Sequence, residues 1–185
     1  MKNFLKRFDE IFIDLINGKM SNRFLDKFMY RFTDLGGAIF NSVIACSFLL
    51  LGDRSIRLLG LEALGSLGLS QLIVQALKRG LGRERPYKIL ENLHTFGINM
   101  KDYSFPSGHT TASFSLATII GLNIPRVWIL VVFLALIVGI SRVYLAVHYP
   151  TDVVAGMMLG IGCSLIVHFQ LLKIIEDIGI FIGII

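Results

Sequence analysis

The sequence predicts an all-α protein: a polytopic helical membrane bundle of about five transmembrane helices, preceded by interfacial amphipathic helices. Two observations carry that prediction. Of the 185 residues, 54% are hydrophobic and only 17% are charged, where a soluble domain carries about a quarter charged residues. The apolar residues also gather in blocks of bilayer-spanning length instead of spreading evenly. This composition excludes a disordered chain, a collagen-like fibre and a coiled coil, and argues against a soluble enzyme. No repeat or composition break divides the chain, so residues 1–185 read as a single integral membrane domain.

The elements follow in order. Residues 1–34 are too interrupted by Asp9, Glu10 and Asp14 to be a cleavable signal peptide. Phe4, Leu5, Phe8, Ile11, Phe12, Leu15 and Ile16 recur with helical spacing, opposite Lys2, Lys6, Arg7, Asp9 and Glu10. Phe24, Leu25, Phe28, Phe32 and Leu35 repeat the pattern around Arg23, Lys27 and Arg31. Both stretches are expected to lie in the membrane interface. The transmembrane core is expected within 35–172, as spans at about 35–52, 55–77, 107–124, 126–144 and 151–172. Gly156 and Gly160 form a small-residue pair suited to close helix packing inside one chain. The linkers near 53 and 125 are short, whereas 78–106 is long and polar and reads as an active-site loop. The tail at 173–185 receives no assignment. Cys46 and Cys163 sit inside apolar blocks, so neither a disulfide framework nor a cysteine metal site follows.

Successive spans alternate direction, which brings one set of polar span ends to a single membrane face. That face collects Lys78, Arg83 and Arg85 after the second span, and Pro106-Ser107-Gly108-His109 at the start of the third. It also collects Ser141-Arg142 at the end of the fourth, and His148 and Asp152 at the start of the fifth. These are the parts of a phosphate site. Arginine offers a planar fork matched to phosphate oxygens. Ser107-Gly108 at a helix start offers backbone N–H groups and the positive end of a helix dipole. His148 and Asp152, four residues apart, share a helix face, and an aspartate bonded to one imidazole nitrogen leaves the other free to react. The formal net charge of +5 fits anionic lipid head groups or a phosphate substrate, not nucleic acid, because no long basic run lies away from the membrane-flanking segments.

Three spaced motifs make a specific combination: Lys78 followed after six residues by Arg85-Pro86, then Pro106-Ser107-Gly108-His109, then Ser141-Arg142 followed by His148 and Asp152. In order and spacing the chain resembles the type 2 phosphatidic acid phosphatase superfamily of membrane lipid phosphatases. The resemblance covers about 78–152 and departs at no signature position. It implies that His148 is the nucleophile, forming a phosphohistidine, that Asp152 orients it, and that His109 is general acid and then base. It implies that Lys78, Arg85, Ser107, Gly108 and Arg142 bind the phosphoryl oxygens, and that neither metal nor other cofactor takes part. The expected partners are the bilayer and a lipid phosphate or diphosphate: undecaprenyl diphosphate first, phosphatidic acid or phosphatidylglycerol phosphate otherwise.

Outside the signature, Arg83 and Lys88 either widen a basic funnel or belong to a solvated loop. Tyr103 and Phe105 flank the second motif and are candidates for the head-group pocket. Tyr144 and Tyr149 fit an interfacial aromatic belt. His94 and His168 read as structural. A non-enzymatic lipid-phosphate binder or transporter is the alternative class, and a vanadate-dependent haloperoxidase-like enzyme a second. Fourteen of the 18 Lys and Arg fall on residues 1–34 and the motif face, which by the positive-inside rule would make that face cytoplasmic. Bacterial members of the resembled family face outward, and the expectation here is a bacterial cytoplasmic membrane with the site facing outward.

Overall fold

The computed structural model describes residues 2–185 and is helical throughout its regular structure. Nine α-helices are described: α1 (Lys2–Ile13), α2 (Arg23–Phe32), α3 (Ala38–Leu51), α4 (Arg54–Leu81), α5 (Pro86–Ile89), α6 (Gly108–Asn123), α7 (Trp128–Tyr144), α8 (Pro150–Ile166) and α9 (Leu172–Phe181). Local signals set their ends. The Asn22 side chain accepts from the amides of Phe24 and Leu25 to start α2, and Asp53 accepts from Ile56 at 3.0 Å to start α4. Helix α4 stops at Gly82, whose φ of 57° is the left-handed conformation glycine adopts without strain. Pro150 opens α8, where a missing N–H costs nothing.

Helix α6 is the hub, packed against α3, α4, α7 and α8. The Gly156–Gly160 face of α8 lies directly on it. A Cβ at Gly156 would come within 2.7 Å of the Ser107 carbonyl oxygen, and one at Gly160 within 2.5 Å of that of Thr111. The small-residue pair therefore serves packing within the chain. Buried hydroxyls join the same helices. Ser164 Oγ lies 2.8 Å from Ser66 Oγ and 2.9 Å from the Ser115 carbonyl, and the Ser115 hydroxyl donates to Ser70 Oγ at 3.0 Å. Large apolar side chains meanwhile point outward, among them Ile39, Leu51, Leu72, Ile129, Phe133 and Met158. Lipid contact on the outside and small or hydroxyl residues inside are the arrangement a bilayer favours.

The five-span expectation is met in part. Three helical stretches are long and apolar enough to cross a membrane: Arg54–Ile89, Pro125–Tyr144 and Pro150–Phe181. A fourth exists if Arg23–Gly36 and Ala38–Leu51, bent by 54° at their junction, count as one span. Helix α6 falls outside this set because it has 16 residues and carries Thr110, Thr111, Ser113 and Ser115. Its neighbours are protein helices, so it needs no lipid-facing apolar surface. The loop expected from 78 also starts later: α4 runs to Leu81 and holds Lys78 in its last turn. The unassigned tail continues α8 through a π-helical segment, Val167–Leu171, into α9.

Candidate active site

Lys78, Arg85, Gly108, His109 and His148 line one cavity of about 140 Å³, together with Gln71, Gln75, Met100 and Asp102. Each arrives from a different piece of chain. Lys78 sits at the C-terminal end of α4, and Arg85 just precedes α5. Gly108 and His109 open α6. His148 lies between α7 and α8, where Ala146 takes a left-handed φ of 56° and the amides of Val147 and His148 both donate to the Arg142 carbonyl at 3.2 Å.

Arg85 is 1% exposed and fully engaged. Its Nη1 donates to the Val147 carbonyl at 2.8 Å and lies 3.2 Å from His148 Nε2. A guanidinium only donates, so His148 Nε2 is an acceptor and its proton resides on Nδ1. Burial, first, and then the charges of Arg142, Arg85 and Lys78 push the His148 imidazole well below its ordinary range, which keeps the ring neutral. Nδ1 faces Asp152 Oδ2 at 3.5 Å, a separation longer than a formed hydrogen bond, and has no hydrogen-bond partner among the described residues.

The Asp152 carboxylate is instead held by other groups. It accepts from Arg83 Nη1 at 2.6 Å, the Ser104 hydroxyl at 2.8 Å and the Tyr149 amide at 2.9 Å. Arg142, 2% exposed, donates to Thr33 Oγ1 at 2.6 Å, while its Nε has no partner among the described residues. Ser107 is fully buried and caps α6: its Oγ accepts from the Thr110 amide at 3.4 Å and lies 2.8 Å from Thr110 Oγ1. The Gly108 carbonyl accepts from Gln71 Nε2 at 3.2 Å. Arg142, Ser107 and Asp152 thus sit behind the cavity wall, not in it.

Sequence reasoning missed three contributors. Asp102 binds two of the expected phosphate cations: Oδ2 accepts from Lys78, and Oδ1 from Arg85 Nη2 at 2.7 Å. Asp9, 2% exposed on α1, accepts from Arg83 Nη2 at 2.6 Å, the Thr151 amide at 2.9 Å and the Thr151 hydroxyl at 2.7 Å. Thr33 holds Arg142. None of these lies in a recognisable motif, and Asp9 reads from sequence as one more polar residue of an amphipathic helix. Arg83, 32% exposed at its side chain, bridges Asp9 and Asp152 with its guanidinium 3.9 Å over the Tyr149 ring, a role neither the funnel nor the solvated-loop reading includes. Lys88 pairs with Glu84 at 3.7 Å. Tyr144 and Tyr149 are not belt residues, being 1% and 9% exposed, and the Tyr144 hydroxyl donates to Asp26 at 2.6 Å. Tyr103 is partly exposed beside Gly82. The His94 backbone is pinned by Asn17, and His168 pairs with Glu62 at 2.7 Å.

A second, apolar cleft of about 240 Å³ lies between α3, α6 and α7, lined by Phe32, Leu35, Phe40, Leu116, Val131 and Val138 among others. It includes Ser113, one helical turn from His109 on α6. Among the described residues, no three His, Cys, Asp or Glu side chains converge to hold a metal ion.

The chain is similar in sequence and fold to known proteins. Over 118 residues, 63% of this chain, it is 32% identical to the undecaprenyl-diphosphatase of Sulfolobus acidocaldarius, covering 57% of that protein. The chain spans about half the length of curated relatives it matches, 57%, 41% and 44% of three of them. The crystal structure of Aquifex aeolicus LpxE superposes with a TM-score of 0.76 at 26% identity, over 86% of this chain and 93% of that one. That of a transmembrane PAP2 type phosphatidylglycerolphosphate phosphatase from Bacillus subtilis gives 0.75 at 27% identity, over 93% and 88%. The PAP2 superfamily model matches residues 59–175, which hold every signature residue from Lys78 to Asp152, and this integral membrane protein belongs to the PAP2 superfamily.

Proposed function

We propose that the chain is a metal-independent membrane phosphatase that hydrolyses a lipid phosphate or diphosphate through a phosphohistidine on His148. The observation that carries this reading is the shared cavity: two cations, Lys78 and Arg85, and two histidines, His109 and His148, wall one space. His148 Nε2 attacks phosphorus while the bond to the lipid oxygen breaks, and His109, protonated once the substrate's anion lies beside it, gives that oxygen its proton. Water then attacks the phosphorus, His109 takes the water's proton, the N–P bond breaks and inorganic phosphate leaves. Lys78 and Arg85, which wall the cavity, stabilise the equatorial oxygens in both steps, and Arg142 adds its positive charge from behind the wall. The neutral Nδ1–H tautomer of His148 supports Nε2 as the attacking atom. Asp152 stabilises the imidazolium that forms, by closing the 3.5 Å gap to Nδ1.

The apolar cleft one turn from His109 supports a lipid leaving group, since the departing alcohol would face the general acid with its chain between helices. On this reading α3 and α6 also cross the bilayer, giving five spans in one phosphatase domain over 1–185, with the site facing outward. Undecaprenyl diphosphate is the first choice of substrate, in line with the name of the Sulfolobus relative. Phosphatidylglycerol phosphate and phosphatidic acid follow.

The test is phosphate release by detergent-purified protein in EDTA, with the three lipids offered side by side and His148→Ala as control. Release that survives EDTA and disappears in the variant is expected. Folded protein that releases nothing from any of them would leave a lipid-phosphate binder as the better reading.

A further inference from the structure

We propose that Asp102 is a resident anion that occupies the phosphate seat and sets how tightly a ligand must bind to enter it. The inference rests on the phosphate-binding half of the function proposed above. Each carboxylate oxygen of Asp102 takes a different cation, Lys78 on one side and Arg85 on the other, and all three groups line the cavity that also holds His109 and His148. Two oxygens spread over two cations is how a phosphoryl group would sit there.

Exposure identifies which partner is exchangeable. The Asp102 side chain is 46% exposed, whereas those of Lys78 and Arg85 are 8% and 1% exposed. The carboxylate has a path to water and the cations do not. The loop stays docked without the carboxylate, because Arg85 also donates to the backbone carbonyls of Asp102 at 3.0 Å and Tyr103 at 3.2 Å. Tyr87 Oη adds contacts of 3.0 and 3.2 Å to the Met100 amide and carbonyl. Exchange therefore needs a side-chain rotation and no loop opening. Burial pushes the Asp102 carboxyl up, but the Lys78 hydrogen bond and the Arg85 charge outweigh it and hold it down at about 2. The resident group is an anion at any working pH.

An internal competitor lowers the apparent affinity of every external anion by one factor, the fraction of molecules in which the seat is vacated. In a bilayer this matters because phosphodiester head groups, each a monoanion, surround the site. A terminal phosphate ester or a diphosphate carries more charge and is held more strongly between Lys78 and Arg85. The tax therefore pushes diesters out of the useful range and leaves terminal phosphoryl groups inside it. Asp102 is in this sense a specificity-determining residue, and the ligand class it admits is a multiply charged terminal phosphate.

The test is calorimetric binding of inorganic phosphate and of dimethyl phosphate, a monoanionic diester, to the full chain in detergent. Asp102→Asn and Asp102→Ala are expected to bind both probes about tenfold more tightly than wild type, with Asp102→Glu close to wild type. Unchanged or weaker binding in the neutral variants would overturn the proposal, because Asp102 would then only prop the cations in place. Should the variants fail to fold, wild-type protein gives a second readout: carbodiimide labelling of Asp102, mapped by mass spectrometry, is expected to rise as phosphate fills the seat. Labelling that phosphate leaves unchanged or slows overturns it. Neither readout needs turnover. Tighter binding without lipid hydrolysis would sink the phosphatase reading alone, and hydrolysis without tighter binding would sink this one alone.

Discussion

Helix α4 carries a buried charge toward each end, and the two are treated differently. Glu62, about two turns from the N-terminus, is 1% exposed and has its own small set of partners: His168 at 2.7 Å and Asn123 at 3.4 Å. Lys78, in the last turn, joins a cluster fed by several separate segments, in which Arg85, Arg142, His148 and Asp152 are all at most 2% exposed. Around Glu62 the polar atoms serve to join helices. Around Lys78 three cations, Lys78, Arg85 and Arg142, gather instead; among the described residues, buried polar atoms lack a partner at both ends, Glu62 Oε1 at one and Arg142 Nε and His148 Nδ1 at the other. Burying like charges side by side costs stability. An arrangement that keeps them close, on a hub built around α6, marks a place where an anion is meant to arrive.

The sharpest way to break this contrast is His148→Ala. Turnover is expected to fall on the order of 10⁴-fold or more, read as phosphate release, with the elution profile of the purified protein unchanged. Next in size is the bridge behind the site. Asp9→Asn and Arg83→Lys weaken the hold on Asp152 without touching the cavity, so kcat is expected to fall about tenfold while KM stays within about twofold. A fall in KM-related binding instead would place Arg83 in the phosphate seat.

A smaller effect concerns pH. Above the ordinary imidazole value of 6.5, His148 is neutral both folded and unfolded and contributes no pH dependence. Below it the unfolded chain takes up a proton that the folded chain resists, so stability declines as pH falls. The contribution approaches about 1.4 kcal/mol per pH unit. Thermal unfolding in detergent between pH 7.5 and about 5.5 is expected to show this decline, reduced in His148→Gln.

At the other end of α4, Glu62→Ala is expected to cost about 1–3 kcal/mol of stability by leaving His168 unpaired, with kcat per folded molecule unchanged. A loss of kcat there would show that the two ends are coupled and would erase the distinction.

How far this was legible in the sequence follows the same division. The apolar blocks placed α3, α4, α7 and α8 within a few residues, because lipid-facing surface must be apolar whatever else the helix does, and placed α6 because a helix buried among other helices is apolar too. The signature spacings placed the site residues on one face, since each sits at a helix end. Asp102 and Thr33 are not legible in the sequence because their roles depend on contacts 17 and 109 residues away, which no local pattern encodes. Asp9 is 142 residues from Thr151 and lies on a helix whose polar face looked solvated. The places of Tyr144 and Tyr149 are hidden for a related reason. A tyrosine at a span end reads as an interfacial anchor, and only the fold reveals Asp26 beneath one and Arg83 over the other.

The central claim is that this end of the bundle carries out covalent phosphoryl transfer at His148. The most direct test is to mix the protein with lipid substrate labelled in the terminal phosphate, quench in base within milliseconds to seconds, and map the labelled peptide. The account expects an alkali-stable, acid-labile phosphate on the peptide containing His148, formed in EDTA, chased by unlabelled substrate and missing from His148→Ala. Rapid hydrolysis with no labelled histidine at any time, or label that persists in His148→Ala, would contradict it.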